Sequence, residues 1–183
     1  MIFLFAALVG VLLGYAFGGR VSNLPSLRLR GLWLVLLALI VQLLIFPLFT
    51  DRPLLPYAVA PLHIVSYVLM FVFLVLNLRT KPLLVLGGGA LLNFVAIAAN
   101  SGRMPASVTA LERAGYTGTS ELLASRGVHG NILMMGDASR LDVLGDWLYL
   151  PAWVPFATAF SLGDVVIMLG LAWLIVRGMR GHA

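Results

Sequence analysis

The chain has 183 residues, 61% of them hydrophobic and 10% charged, with a mean hydropathy of +1.03. Soluble globular domains run at about 45–50% apolar and about 25% charged, so this balance excludes a water-soluble monomer and points to lipid as the main solvent. There is no cysteine, which removes disulfides, thiolate metal sites, Fe–S clusters and cysteine nucleophiles. The net charge is +5 and the pI about 10.2, but the basic residues fall at the ends of apolar stretches, so no nucleic-acid partner is expected.

Five apolar stretches approach the roughly 20 residues needed to cross a bilayer: 1–19, 31–50, 61–78, 83–99 and 155–176. Hydrocarbon offers no partner to an open strand edge, and the alternation of a membrane barrel is missing, so all five read as helices. No basic residue precedes the first stretch; its arginines follow it. It reads as a retained span with its N-terminus outside, not as a cleaved leader. Arg20, Arg28 and Arg30 follow that span, Arg79 and Lys81 flank the next turn but one, and Arg177 and Arg180 lie in the tail, with no acid among them. The alternate loops hold Asp51 with Arg52, and a polar segment, 100–154, with five acids and four arginines. The positive-inside rule then puts the C-terminus in the cytoplasm of a plasma membrane crossed several times.

Gly10, Gly14 and Gly18 form a small-xxx-small ladder in the first span. Such ladders bring helix backbones together in lipid, within one chain or between copies as a homo-oligomer. Gly87, Gly88 and Gly89 lie in the fourth span, and Ala159, Gly163 and Gly170 along the fifth. The glycine run follows no strand and precedes no Lys-Ser/Thr pair, so it is read as a packing surface and not as a phosphate loop.

In the segment 100–154 a short helix is predicted over 107–113, stopped by Gly115. A second is predicted over 120–126, capped by Thr119 and stopped by Gly127. Ser139 and Asp142 have capping-box spacing for a third. Trp147, Tyr149, Trp153 and Phe156 line the approach to the last span as an aromatic belt. The expected architecture is an all-α integral membrane protein, one domain over 1–183. It is a five-transmembrane-helix bundle with a short-helix extracytoplasmic cap between helices 4 and 5, its helices lying in the interface plane.

Ionisable groups at membrane depth are functional candidates by default. Asp164, near the outer end of the fifth span, is the foremost, although Ser161 and Asp164 also have the spacing of a capping box. Asn93 and Asn100 lie two turns apart on one helix face, with Arg103 one turn further, and Arg103 is the expected ion-pair partner of Asp164. Asp142 and Asp146 share a four-residue spacing beside Arg140, and two nearby carboxylates can divide the roles of acid and base. His129 is a further candidate in the outer loop, and His63 and Gln42 lie in the third and second spans. No spacing typical of histidine metal ligands occurs, so neither a metal nor a cofactor is expected. No Gly-x-Ser-x-Gly elbow is present.

The strings Asn100-Ser101-Gly102-Arg103-Met104-Pro105, Arg140-Leu141-Asp142-Val143-Leu144-Gly145-Asp146 and Phe160-Ser161-Leu162-Gly163-Asp164, with the apolar spans, resemble an uncharacterised bacterial membrane family, domain of unknown function 5317. The resemblance covers nearly the whole chain. It implies a bacterial inner-membrane location and no particular activity. Phe160 to Asp164 is also similar to the Phe-Asn-x-Ala-Asp string of lipoprotein signal peptidase, a membrane aspartyl protease, which implies a catalytic acid at Asp164. The companion Gly-Asn-x-x-Asp-Arg motif is missing; Gly89-Ala90-Leu91-Leu92-Asn93 imitates only its beginning.

Three functions follow as expectations. The first is a non-enzymatic accessory protein that binds a lipid or a membrane partner at its outer face through Asn93, Asn100, Arg103, His129 and Arg140. The second is an aspartate-dependent enzyme on a lipid-linked substrate, with Asp164 as acid or base, Arg103 orienting, and Asp142, Asp146 or His129 as its partner. The third is a small transporter, for which the chain shows no inverted repeat.

Overall fold

The computed structural model describes residues 2–45 and 54–181. Five apolar helices are present: α1 (Ile2–Ala16), α2 (Leu32–Ile45), α3 (Val59–Leu76), α4 (Lys81–Ala99) and, last in the chain, α7 (Leu162–Met179). Three of them, α3, α4 and α7, are long and apolar enough to cross a membrane. This corrects the expectation of five spans. At 1.5 Å per residue the 15 residues of α1 reach about 22 Å, less than a roughly 30 Å hydrocarbon core, and the described part of α2 has 14 residues. Gly18, at φ +76°, turns the backbone out of α1 before the expected end at 19. For the second stretch, residues 46–50 lie outside the described residues.

α7 is the central helix. It packs most extensively on α4 and next on α1, while α3 neighbours α4 and α2 neighbours α3. Glycine permits the closest of these approaches. A Cβ on Gly170 would lie 2.5 Å from the Leu86 amide nitrogen of α4, and one on Gly10 would lie 3.0 Å from Ala172 Cα of α7. Gly14 faces Met179. Gly10 and Gly14 of the first-span ladder are therefore used within the chain, against α7, whereas Gly18 lies beyond α1 and a Cβ there would meet nothing within 4 Å. Leu34, Phe73, Leu74 and Leu83 form a buried cluster joining α2, α3 and α4, with Leu174 of α7 at its edge.

The acid-free basic segments meet at one end of these helices. Met179 O, an open carbonyl at the end of α7, accepts from Arg20 N and from Asn23 Nδ2, each at 2.8 Å. Asn77, just past α3, exchanges two 2.8 Å hydrogen bonds with the Arg30 backbone. Pro82 sits in the first turn of α4, where a missing N–H costs nothing, so the 77–80 turn reverses the chain tightly.

The other end carries the cap, and here the all-α expectation is corrected. Two small sheets accompany the short helices. β1 (Met104–Ala106) pairs in parallel with β3 (Ile132–Met134), and β2 (Val128–His129) pairs antiparallel with β3. β4 (Leu148–Leu150) pairs antiparallel with β5 (Thr158–Phe160). α5 (Val108–Arg113) begins as expected, with Ser107 Oγ accepting from Ala110 N at 3.3 Å, and Gly115 follows it at φ +88°. α6 (Thr117–Arg126) starts three residues earlier than expected. Ser120 Oγ bonds back to Thr117 O, so that residue lies inside the first turn. The third cap helix shrinks to a single 3-10 turn, Asp142–Leu144, because Leu141 takes a left-handed conformation at φ +60°.

The last span is shifted as well. Residues 155–160 form a turn and β5, and the helix starts at Leu162, where Ser161 and Asp164 make a reciprocal capping box.

If the α4–α7 approach is as close as described, Gly170→Ala lowers stability by about 1–3 kcal/mol through overpacking. Gly88→Ala, whose Cβ meets nothing within 4 Å, is neutral or gains up to about 1 kcal/mol of helix propensity. Thermal unfolding in detergent separates the two; equal behaviour would contradict the crossing.

Candidate functional site at the junction of cap and helices

Asp164 and Asn93 face each other where α7 enters from the cap. Asn93 Nδ2 donates to Asp164 Oδ1 at 2.8 Å, and Asn93 Oδ1 accepts from Ser161 Oγ at 2.7 Å. Ser161 Oγ in turn accepts from Asp164 N at 3.0 Å, and Asp164 Oδ2 accepts from Ser161 N at 3.0 Å. The four bonds close a ring. Ser161 is fully buried and Asn93 nearly so, and no buried side-chain polar atom among the described residues lacks a partner. Gly163 makes the ring possible, since a Cβ there would overlap Asn93 Oδ1.

A second junction lies one layer out. The Asn100 side chain accepts from Arg140 N at 2.8 Å and donates to Arg140 O and to Ala96 O, each at 2.7 Å. Arg140 therefore engages the helices through its backbone, and its side chain is exposed. Gly102, at φ +86°, presses on Ala60 of α3, and its carbonyl lies 3.3 Å from His63 Nδ1.

The suspected partners of Asp164 fall in different places. The Asp146 amide donates to Pro105 O at 2.8 Å, and its carbonyl accepts from Ser107 N at 3.0 Å, which ties it to β1. From there its carboxyl feels the charge of Asp164. Asp142 instead accepts from Ser139 Oγ at 2.5 Å, on the surface of the cap. His129 lies in β2, partly buried. Arg103 is partly buried, and no ion pair joins it to Asp164, whose two oxygens take Asn93 and Ser161. That is a correction of the expected pair. Among the described residues no three histidines or acids gather as a metal set.

Tyr67 was not legible as a site residue. Its phenol is close enough to Asp164, Asp146 and Asn93 to be influenced by all three, and its ring packs against His63 with centroids 5.5 Å apart. The four-residue spacing of His63 and Tyr67, one helical turn, was the available signal. Tyr67 also touches the buried cluster of Ala96, Ile97 and Met104, with Leu144 of the cap against the same cluster.

The carboxyl of Asp146 is pushed well above its ordinary value of 3.8, first by burial and then by the negative charge of Asp164. Below that ordinary value the folded and unfolded chains both hold the proton. Above it the unfolded chain loses the proton while the folded chain keeps it, so stability falls as pH rises toward the folded value. Asp146→Asn therefore raises the unfolding midpoint at about pH 7–8 and leaves it unchanged near pH 3.5. A gain equal at both pH values would contradict the assignment.

A family model described as a family of unknown function matches residues 26–176, which include all three strings noted in the sequence. No curated protein and no solved structure matches the chain, and the likeness to lipoprotein signal peptidase gains nothing from the comparisons. With a match over most of its length, the chain belongs to the family of unknown function DUF5317.

Proposed function

We propose that this chain is a small multi-pass protein of a bacterial inner membrane in which α1 and the stretch that begins with α2 also cross, as short spans, with its N-terminus outside, its C-terminus in the cytoplasm and its cap on the outer face. The convergence of the basic segments at the end opposite the cap supports this polarity, because lysine and arginine favour the cytoplasmic side. The cap then works as a non-enzymatic docking element for a lipid or a membrane partner. One observation carries this reading. The polar groups are used internally: Asn93, Ser161 and Asp164 tie α4 to α7 and Asn100 ties α4 to the cap, while Leu141, Val143, Trp147 and Trp153 stand exposed on the cap itself. Trp153 is 84% exposed, a large cost for an indole unless lipid or a partner covers it.

A second reading is favoured by a separate observation: Asp146 is tied by its backbone to β1, where its carboxyl responds to the charge of Asp164. A carboxyl whose hold on its proton is strengthened by burial and by the charge of another acid is suited to donate a proton to a substrate at the outer leaflet. In this reading Asp146 is the acid, Asp164 its partner, and Tyr67 lines the site.

The absence of cysteine makes single-cysteine labelling clean. Ser125→Cys on the cap is expected to react with an impermeant maleimide in intact spheroplasts, and Ser26→Cys only after permeabilisation. The reverse pattern overturns the polarity. Purified in mild detergent, the protein is expected to retain a partner subunit or a defined lipid, and Trp147→Ala with Val143→Ser to lower that retention about tenfold. A monomer that retains neither overturns the docking role. Accumulation of an unprocessed lipid-linked substrate in Asp146→Asn cells would favour the enzyme.

A further inference from the structure

We propose that the outward face of the last two turns of α7 is a binding site for an anionic phospholipid of the cytoplasmic leaflet. Trp173, Val176, Arg177 and Arg180 line an open groove there. Their spacing puts all four on one side of the helix. The other sides are occupied: Gly170 meets Leu86 of α4, and Ala172, Ile175 and Met179 meet α1. One turn above Trp173 on the same side lies Leu169, 62% exposed. The groove therefore runs from an apolar wall to two guanidinium groups, in the order that a lipid presents acyl chain and phosphate.

Charge selects the occupant. Arg20, Arg28, Arg30, Arg79 and Lys81 share this end, and segments 20–30, 77–81 and 177–180 contain no acid. Guanidinium groups hold phosphate oxygens by charge-assisted hydrogen bonds, and Trp173, 44% exposed, is of the type that settles at the headgroup level. A basic groove at the cytoplasmic ends of membrane helices recognises the phosphate of an anionic headgroup. A free phosphate ion satisfies the arginines but leaves Trp173 and Leu169 uncovered. The inference rests on the proposed membrane location and polarity.

Native mass spectrometry of the full chain in detergent tests it, with phosphatidylglycerol and phosphatidylcholine as probes. Wild type is expected to retain phosphatidylglycerol over phosphatidylcholine. Arg177→Gln with Arg180→Gln lowers that retention roughly 25-fold, at about fivefold per arginine. Arg180→Gln alone, at an exposed position, lowers it about fivefold and guards against a folding defect in the pair. Arg113→Gln with Arg126→Gln removes the same charge from the cap and leaves retention unchanged. Trp173→Ala lowers lipid retention but not competition by inorganic phosphate. Equal losses in the cap pair, or none in the α7 variants, overturn the site; phosphate competing without any lipid preference identifies an ion site instead. Alkaline carbonate extraction keeps the two readings apart: a chain released from membranes overturns the membrane location, whereas a chain that stays but ignores headgroup charge overturns only this site.

Discussion

The structure depends on one close approach, that of α4 and α7 at Gly163. With hydrogen in place of a side chain, the amide of Asn93 reaches both Ser161 and Asp164. Three side chains and two backbone N–H groups that would each be costly to bury alone then satisfy one another. The same contact fixes where α7 begins, because two of the four bonds are its N-terminal cap. A residue that reads as an isolated charge in an apolar helix is thus both the helix start and an interhelical tie.

That tie divides the molecule into two unlike ends. At one, basic segments gather around the C-terminal end of α7 and the turn into α4, held by backbone carbonyls and by Asn77. At the other, a cap of short helices and two small sheets is joined to the end of α4 by Asn100. The proposed polarity, the exposed cap aromatics and the arginine groove are consequences of this asymmetry. Asp146 is placed by its pairing beside β1 and not on a helix.

Features with local chemistry were legible in the sequence. Ser107 and Gly115 bracket α5, Gly127 ends α6 at φ +70°, and the Ser161–Asp164 spacing marks the start of α7. The glycine sets identified packing faces, although not which helix would meet them. The strands were hidden because they are two or three residues long, and one contains Pro105, which cannot donate to a ladder. Spans read from composition alone were too long wherever a glycine or a strand intervened, as at Gly18 and β5. The choice among Asp142, Asp146 and His129 as the neighbour of Asp164 was also beyond the sequence. It follows from the bridge between Ala106 and Asp146, a long-range pairing with no local signature, whereas Ser139 claims Asp142 at a distance of three residues.

The most direct test of this account is a double-mutant cycle on the tie. Asn93→Ala, Asp164→Ala and the double variant are compared by reversible unfolding in detergent. A buried hydrogen bond inside a closed ring gives a coupling of about 1–3 kcal/mol between the two substitutions. Additivity within about 0.5 kcal/mol would mean that the two side chains act independently, and the junction that organises both ends of the molecule would not exist as described.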